Sequence, residues 1–271
     1  MNLNVNNSKE ITCVVASLGS AKLLKTLNHL MSGFYTPSKI IICLPEEKKI
    51  EFPSYINTEI IVLSAPKGQV TQRIEAIKNV KTKLILQIDD DIEMHKNCLK
   101  ILYDNLIQLG PKNIVGANLI SQSNTHINLL TSHQCGTVTS YGEAITVKQC
   151  CYGNKRVSVE WLPGGCCLYF TGDSIIENYY PFEGKAYNED IIASLLRSNK
   201  NIKHFFIPDA KCYLNDHSDD LKFLELKKYY LSKKYYLKLK KEKNLYYFHI
   251  NFLKICIGVL FKNILKFIKK V

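Results

Sequence analysis

The sequence predicts an α/β fold, a mostly parallel sheet flanked by helices. Three observations predict it. Short runs rich in Ile, Val and Leu recur at 11–16, 39–44, 59–63, 83–88 and 113–117, as strands buried on both faces do. Segments with apolar residues at steps of three and four separate several of them, and strands alternating with helices build a parallel sheet. The clearest run, 83–94 (KLILQIDDDIEM), stops on Asp89, Asp90 and Asp91. Three adjacent carboxylates cannot be buried unpaired, so they sit at the strand's exit, where ligands of such sheets bind.

Taken in order, 11–16 (ITCVVA) is the first strand and Ser17-Leu18-Gly19-Ser20 breaks it. A helix over 21–32 has apolar residues at 23, 24, 27, 30 and 31. Gly33 ends it, Pro37 precedes the next strand at 39–44, and 59–63 is the third. Pro66-Lys67-Gly68-Gln69 is a turn into a helix over about 70–80, which leads to the acidic strand. Residues 96–109 read as a helix closed by Gly110-Pro111, and 113–117 as a short strand. Residues 118–155 are rich in Ser, Thr, Asn and Gln without a clean period, and His126 and His133 read as ordinary polar loop residues. Trp161, the single tryptophan, precedes Pro163-Gly164-Gly165, where paired glycines allow close approach of backbone to a ligand or simply a turn. Residues 168–170 continue as a strand and Asp173 starts a short helix. Asn188-Glu189-Asp190 opens a helix with apolar residues at 191, 192, 195 and 196. This acidic pair either caps the helix or presents a general base. A last strand at 205–207 and Asn215-Asp216-His217 end the body.

Composition bounds the class. A 46% hydrophobic and 22% charged chain is globular, not disordered, and 271 residues suffice for one large domain or two small ones. The net charge of +12 is unevenly placed: residues 1–221 hold 22 basic and 22 acidic residues, while 222–271 hold 14 basic and 2 acidic. The ten cysteines form no C-x-x-C pair, which argues against a zinc site, and several fall in strand-like runs where a thiol acts as a small hydrophobe. The start, MNLNVNNSKE, has no apolar signal core, so a cytosolic chain with reduced thiols is expected.

The acidic strand end has two readings. Hard divalent cations take oxygen ligands, and Mg²⁺ uses one or two carboxylates plus substrate phosphates, which makes 89–91 a metal–diphosphate site. Otherwise it is a solvated turn capping the next helix. Its place at the sheet's carboxyl edge, with Ser17 and Gly68, favours the first.

The body, about residues 10–217, resembles the family 2 glycosyltransferases, which have the GT-A (Rossmann-like) fold. The resemblance rests on an ordered series: VVASLGS, Lys67-Gly68-Gln69 with Arg73, QIDDD as the D-x-D, the Gly164-Gly165 loop, and Asn188-Glu189-Asp190 as the E-D motif. It implies a nucleotide-sugar donor, a divalent cation (Mn²⁺ or Mg²⁺) and inversion at the anomeric carbon. By position it implies Asp91 as the direct metal ligand, with Asp89 and His217 beside it. Asp190 is the implied catalytic base, next to Glu189. Ala16, Ser17, Gly68, Gln69, Arg73, Asp89 and Asp90 would line the donor pocket, and Trp161, Gly164 and Gly165 the acceptor side. One departure is visible. The family often has an acidic residue after the second strand to meet the nucleotide base, and here that place reads Cys43-Leu44-Pro45-Glu46-Glu47, without a clear equivalent.

The remaining residues, 221–271, read as a basic amphipathic helical tail. Asn251, Lys254, Gly258, Lys262, Lys266 and Lys269 form one polar stripe on an otherwise apolar helix, the pattern of an interfacial membrane helix. Lysines interrupt it too often for a span. The expectation is therefore a catalytic domain over 1–220, and a tail that meets an anionic membrane surface through 244–271, or packs on the body or a second subunit. The long apolar face argues against nucleic acid. The activity expected is transfer of a sugar, from UDP or another nucleotide, to a hydroxyl of a glycan or lipid-linked acceptor. Surface polysaccharide synthesis (O-antigen, capsule or lipooligosaccharide), in the cytoplasm and peripheral on the inner face of the cell membrane, is the expected setting. The alternatives are a metal-dependent nucleotidyltransferase, which would have no use for Asn188-Glu189-Asp190, and a non-catalytic membrane scaffold.

Overall fold

The computed structural model describes residues 6–121, 136–146, 156–214, 221–242 and 245–268. In chain order come β1 (Asn6–Ala16), α1 (Ala21–Met31), β2 (Tyr35–Pro45), β3 (Glu59–Ala65), α2 (Gln69–Lys78) and β4 (Leu84–Asp89). The chain continues with β5 (Ile92–Met94), α3 (Cys98–Leu109), β6 (Asn113–Ser121), the hairpin β7 (Gly136–Val138) and β8 (Ala144–Thr146), β9 (Val157–Val159) and β10 (Cys166–Phe170). It ends with α4 (Glu189–Asn199), β11 (Lys203–Leu214), α5 (Leu226–Leu239) and α6 (Tyr246–Ile268).

The fold is mixed α/β, with a mostly parallel first half. The main sheet runs β3-β2-β1-β4-β10-β6-β11-β5, with β9 also on β11. β3, β2, β1 and β4 are mutually parallel, and so are β6 and β11. β10 is antiparallel to both β4 and β6, and β5 and β9 are antiparallel to β11. Strand side chains alternate between faces. Cys13, Val15, Leu84 and Leu86 pack on α1 and α3, while Val14, Ile41 and Ile85 share the opposite face with Ala76 and Ile77 of α2. Both faces are covered, which is why these strands read as unbroken apolar runs.

Three local expectations are corrected. Pro37 lies inside β2, beside the register shift between Ser8 and Thr12 of β1 and before β2 meets β3 at Lys39. The last strand is not confined to 205–207: β11 continues through Pro208 because its register with β6 shifts between Ile207 and Lys211. Asp173 does not start a helix. It closes a 3₁₀ turn (Thr171–Asp173), and its carboxylate accepts the Lys112 N–H at 2.7 Å.

α5 is not a loose appendage. Leu226, Ser232, Lys233, Tyr236 and Leu237 are buried, and Tyr236, Leu237 and Phe248 share one cluster with Ile191 and Ile192 of α4, Val138 and Trp161. The C-terminal part of α6 leaves Leu253, Ile257, Leu260 and Phe261 exposed. Among the described residues no helix is long and apolar enough to cross a membrane.

Candidate active site

The site forms where β1 and β4 end together. Ala16 is in register with Asp89 on one side and with Cys43 on the other, so the loops leaving β1, β2 and β4 open at one edge. A cavity of about 650 Å³ lies there, lined by Ala16, Ser17, Gly68, Gln69, Asp89, Asp90 and Asp91 among others. Ser17 Oγ accepts the Gly19 N–H at 2.9 Å and donates a short hydrogen bond to Asp90, tying the first loop to the acidic strand end. Lys22, Lys67 and Lys185 add positive charge to the same lining.

Burial pushes the carboxyls of Asp89 and Asp91 above the usual carboxylate range, and the negative charge of neighbouring Asp90 pushes both further. Arg73 opposes the rise at Asp89 and Lys22 opposes it at Asp91. This is an oxygen-only donor set whose members repel one another. It fits a hard divalent cation, which removes that repulsion.

A second acidic pair stands behind the first. Arg73 is buried. Its Nη1 lies 2.6 Å from Glu189 Oε1 and its Nη2 3.1 Å from Asp89 Oδ1. The Tyr179 hydroxyl also donates to Glu189. Burial pushes the Glu189 carboxyl up, but the Arg73 guanidinium and these hydrogen bonds hold it below the usual range. Its neighbour behaves oppositely: burial and the Glu189 charge push Asp190 well up. Asp190 Oδ1 accepts the Gly164 N–H at 2.9 Å. The Gly164 carbonyl accepts from Gln87 Nε2 at 2.8 Å, and the Gly165 carbonyl accepts the Asp89 N–H at 2.9 Å. The two glycines thus run between the acidic clusters and touch both.

Residues 46–161 match the family model described as Glycosyl transferase family 2. That stretch is similar to the family 2 glycosyltransferases. No curated protein sequence is significantly similar to it. Among solved structures it is similar to GalNAc-T7, crystallised with UDP, GalNAc and Mn²⁺, at 10% identity and a TM-score of 0.58, covering 77% of this chain and 43% of that one. It is also similar to residues 1–349 of S. aureus TarS in complex with UDP-GlcNAc, at 12% identity and a TM-score of 0.56, covering 93% of this chain and 71% of that one. These likenesses show the GT-A fold. The chain spans less than half the length of the first structure.

The residues that the glycosyltransferase resemblance singled out fall into three groups. Ala16, Ser17, Gly68, Gln69, Asp89, Asp90 and Asp91 share the cavity. Arg73, Glu189, Asp190, Gly164 and Gly165 form the wall joined to it through Asp89. Trp161 stands apart: it is 5% exposed, packs with Val138, Ile191 and Tyr236, and presents no open face. His217 lies outside the described residues. Within the wall, Glu189 is fully engaged by Arg73 and Tyr179, whereas Asp190 is half-buried beside the turn.

Sequence reasoning missed Gln72. It is buried on α2, and its Nε2 donates to the carbonyls of Ser17 and Cys43 at 2.8 Å each, while its Oε1 accepts the Gly68 N–H at 3.2 Å. One amide therefore fixes the three loops that frame the cavity. Its signal was a polar residue four positions before the buried Ala76 on α2.

Proposed function

We propose that this chain moves a sugar from a nucleotide-diphosphate donor, a UDP-sugar for preference, to a hydroxyl of a glycan or lipid-linked glycan, with inversion. One observation carries the reading: Arg73 and the Gly164-Gly165 turn link a carboxylate-lined cavity at the sheet's carboxyl edge to a second carboxylate with a raised pKa. Asp91 and Asp89 would hold a divalent cation, which when bound neutralises the charge that develops on the leaving diphosphate. Lys22, Lys67 and Lys185 add to the field that draws a diphosphate into the cavity. Asp190 takes the proton of the acceptor hydroxyl as that oxygen attacks the anomeric carbon from the face opposite the diphosphate. The raised pKa suits a base that must accept a proton near neutral pH. Glu189 is a positioning residue: it neutralises Arg73 and raises the basicity of Asp190. The test is UDP-sugar hydrolysis and transfer with Mn²⁺ or Mg²⁺ across a donor panel. Absence of turnover with every nucleotide sugar and cation rejects the reading.

The acceptor belongs, on this reading, to surface polysaccharide synthesis on the inner face of the cell membrane, which fits a basic, apolar-faced tail. α5 belongs with the catalytic unit, and α6 carries the lipid-facing surface. Leu253, Ile257, Leu260 and Phe261 are exposed at steps of four, three and one on a helix that carries Lys254 and Lys262, and each lysine near anionic lipid contributes about 1 kcal/mol. In liposome flotation the full chain should rise with anionic vesicles, and Leu253→Glu with Ile257→Glu should stay in the load. Equal flotation of the two rejects this face.

A further inference from the structure

The entry to α4 is held from outside. Asn188 is the residue before Glu189-Asp190, and it sits in the left-handed region at φ 56°. An Asn at that position ordinarily caps its own helix. Here it makes no cap bond. Its Nδ2 instead donates to Ser232 Oγ of α5 at 2.8 Å, and Ser232 Oγ donates to the Tyr229 carbonyl at 2.9 Å. Ser232 is 0% exposed. The same short segment is gripped twice more: the Tyr180 hydroxyl donates to the Tyr187 carbonyl at 3.1 Å, and the Tyr187 ring lies 6.0 Å from that of Tyr229, edge to face.

Asn enters the left-handed region more readily than other non-glycine residues, and here the bond to Ser232 fixes where its amide points. Asp190 follows Asn188 by two residues on a rigid helix, so the backbone at 188 aims its carboxyl at Gly164. We propose that Asn188 and Ser232 are positioning residues for Asp190, and that α5 is thereby part of the catalytic apparatus and not only of the tail. This rests on Asp190 being the base. A helix that merely covered the apolar face of α4 would need neither a fully buried hydroxyl nor an amide turned away from its own helix.

The test uses the full chain, with donor and cation held fixed. Ser232→Ala keeps helix propensity but removes the acceptor for Asn188. The expected result is a fall in kcat of about ten- to hundredfold, the cost of misplacing a reacting group, with donor KM unchanged. Asn188→Gly, which adopts positive φ without strain but has no amide, should fall similarly, and the double variant should fall no further than either single one. Asn188→Asp, which keeps the left-handed preference but has no proton to give Ser232, whose own proton goes to the Tyr229 carbonyl, should fall like Asn188→Gly. Asp190→Asn is measured in parallel. If it abolishes turnover while Ser232→Ala keeps wild-type kcat, the positioning role is overturned and the base assignment stands. If Asp190→Asn turns over normally, the base assignment itself fails. Additive losses in the double variant, or a rise in donor KM equal to the fall in kcat, also overturn the proposal.

Discussion

Arg73 binds Glu189 through a 2.6 Å contact between Nη1 and Oε1, across 116 residues of chain. Both side chains are buried, at 4% and 5% exposed. Removing one partner of a buried pair strands the other, at a cost of about 3–5 kcal/mol. Arg73→Met should therefore destabilise by about that amount, since it strands Glu189 and also withdraws the cation from Asp89. Glu189→Gln should cost less, because the neutral amide still accepts from Arg73 and Tyr179, and Arg73 keeps Asp89. Urea unfolding with unchanged m-values checks the order.

The Gly164-Gly165 turn makes a steric prediction. Neither glycine has a positive φ among those the backbone requires, so the need is for space. A Cβ on Gly164 would lie 2.6 Å from Asp190 Oδ1 and 3.0 Å from Gln87 Nε2. On Gly165 it would meet Leu119 Cδ1 at 3.0 Å, a methyl that can give way. Gly164→Ala should therefore lower kcat by about a hundredfold by pushing the carboxylate aside, with donor affinity kept in calorimetry. Gly165→Ala should lose much less.

How far the sequence alone reached depends on whether a feature was local. β4 and its three aspartates were legible because an apolar run ending in adjacent charges has one economical placement. Gly68, and the helix opening at Glu189, were legible from turn and cap chemistry. The Arg73–Glu189 pair was not, because only the fold brings α2 to the start of α4. The packing of α5 on the body was not legible, because its lysines mask its buried face. Lys233 itself is 2% exposed, its ammonium held by Glu143 and the Tyr229 hydroxyl, and lysine is among the residue types least often buried. β5, three residues long, lies too close to the acidic turn to show a period of its own.

If Asp190 is the base, as proposed, kcat/KM depends on pH with a definite sign. The base works only when deprotonated, and burial followed by the Glu189 charge raises its pKa well above the ordinary 3.8. Activity should therefore be full at high pH and fall tenfold per unit as pH drops through that raised value. Glu189→Gln removes the nearest negative charge, so its acid limb should move to lower pH. Profiles over about pH 5–9 check both, and an unmoved limb would remove Glu189 from any role in tuning the base.

His204 gives a stability prediction independent of the site. It is 2% exposed on β11, in register with Val159 and Ile114 on either side, and its Nε2 has no hydrogen-bond partner among the described residues. Burial, helped by the Arg197 charge, lowers its pKa from 6.5 to about 3. The unfolded chain therefore binds a proton that the folded chain refuses between those values. Stability from this group is complete above pH 6.5 and is lost as pH falls toward 3. Between pH 6.5 and 5 the loss is about 2 kcal/mol. His204→Phe, which keeps a planar ring and cannot be protonated, should match wild type near pH 7.5 and exceed it by about that amount at pH 5. Urea unfolding of the two proteins at both pH values checks it, and a difference that does not grow on acidification would mean that His204 is solvated in the native state.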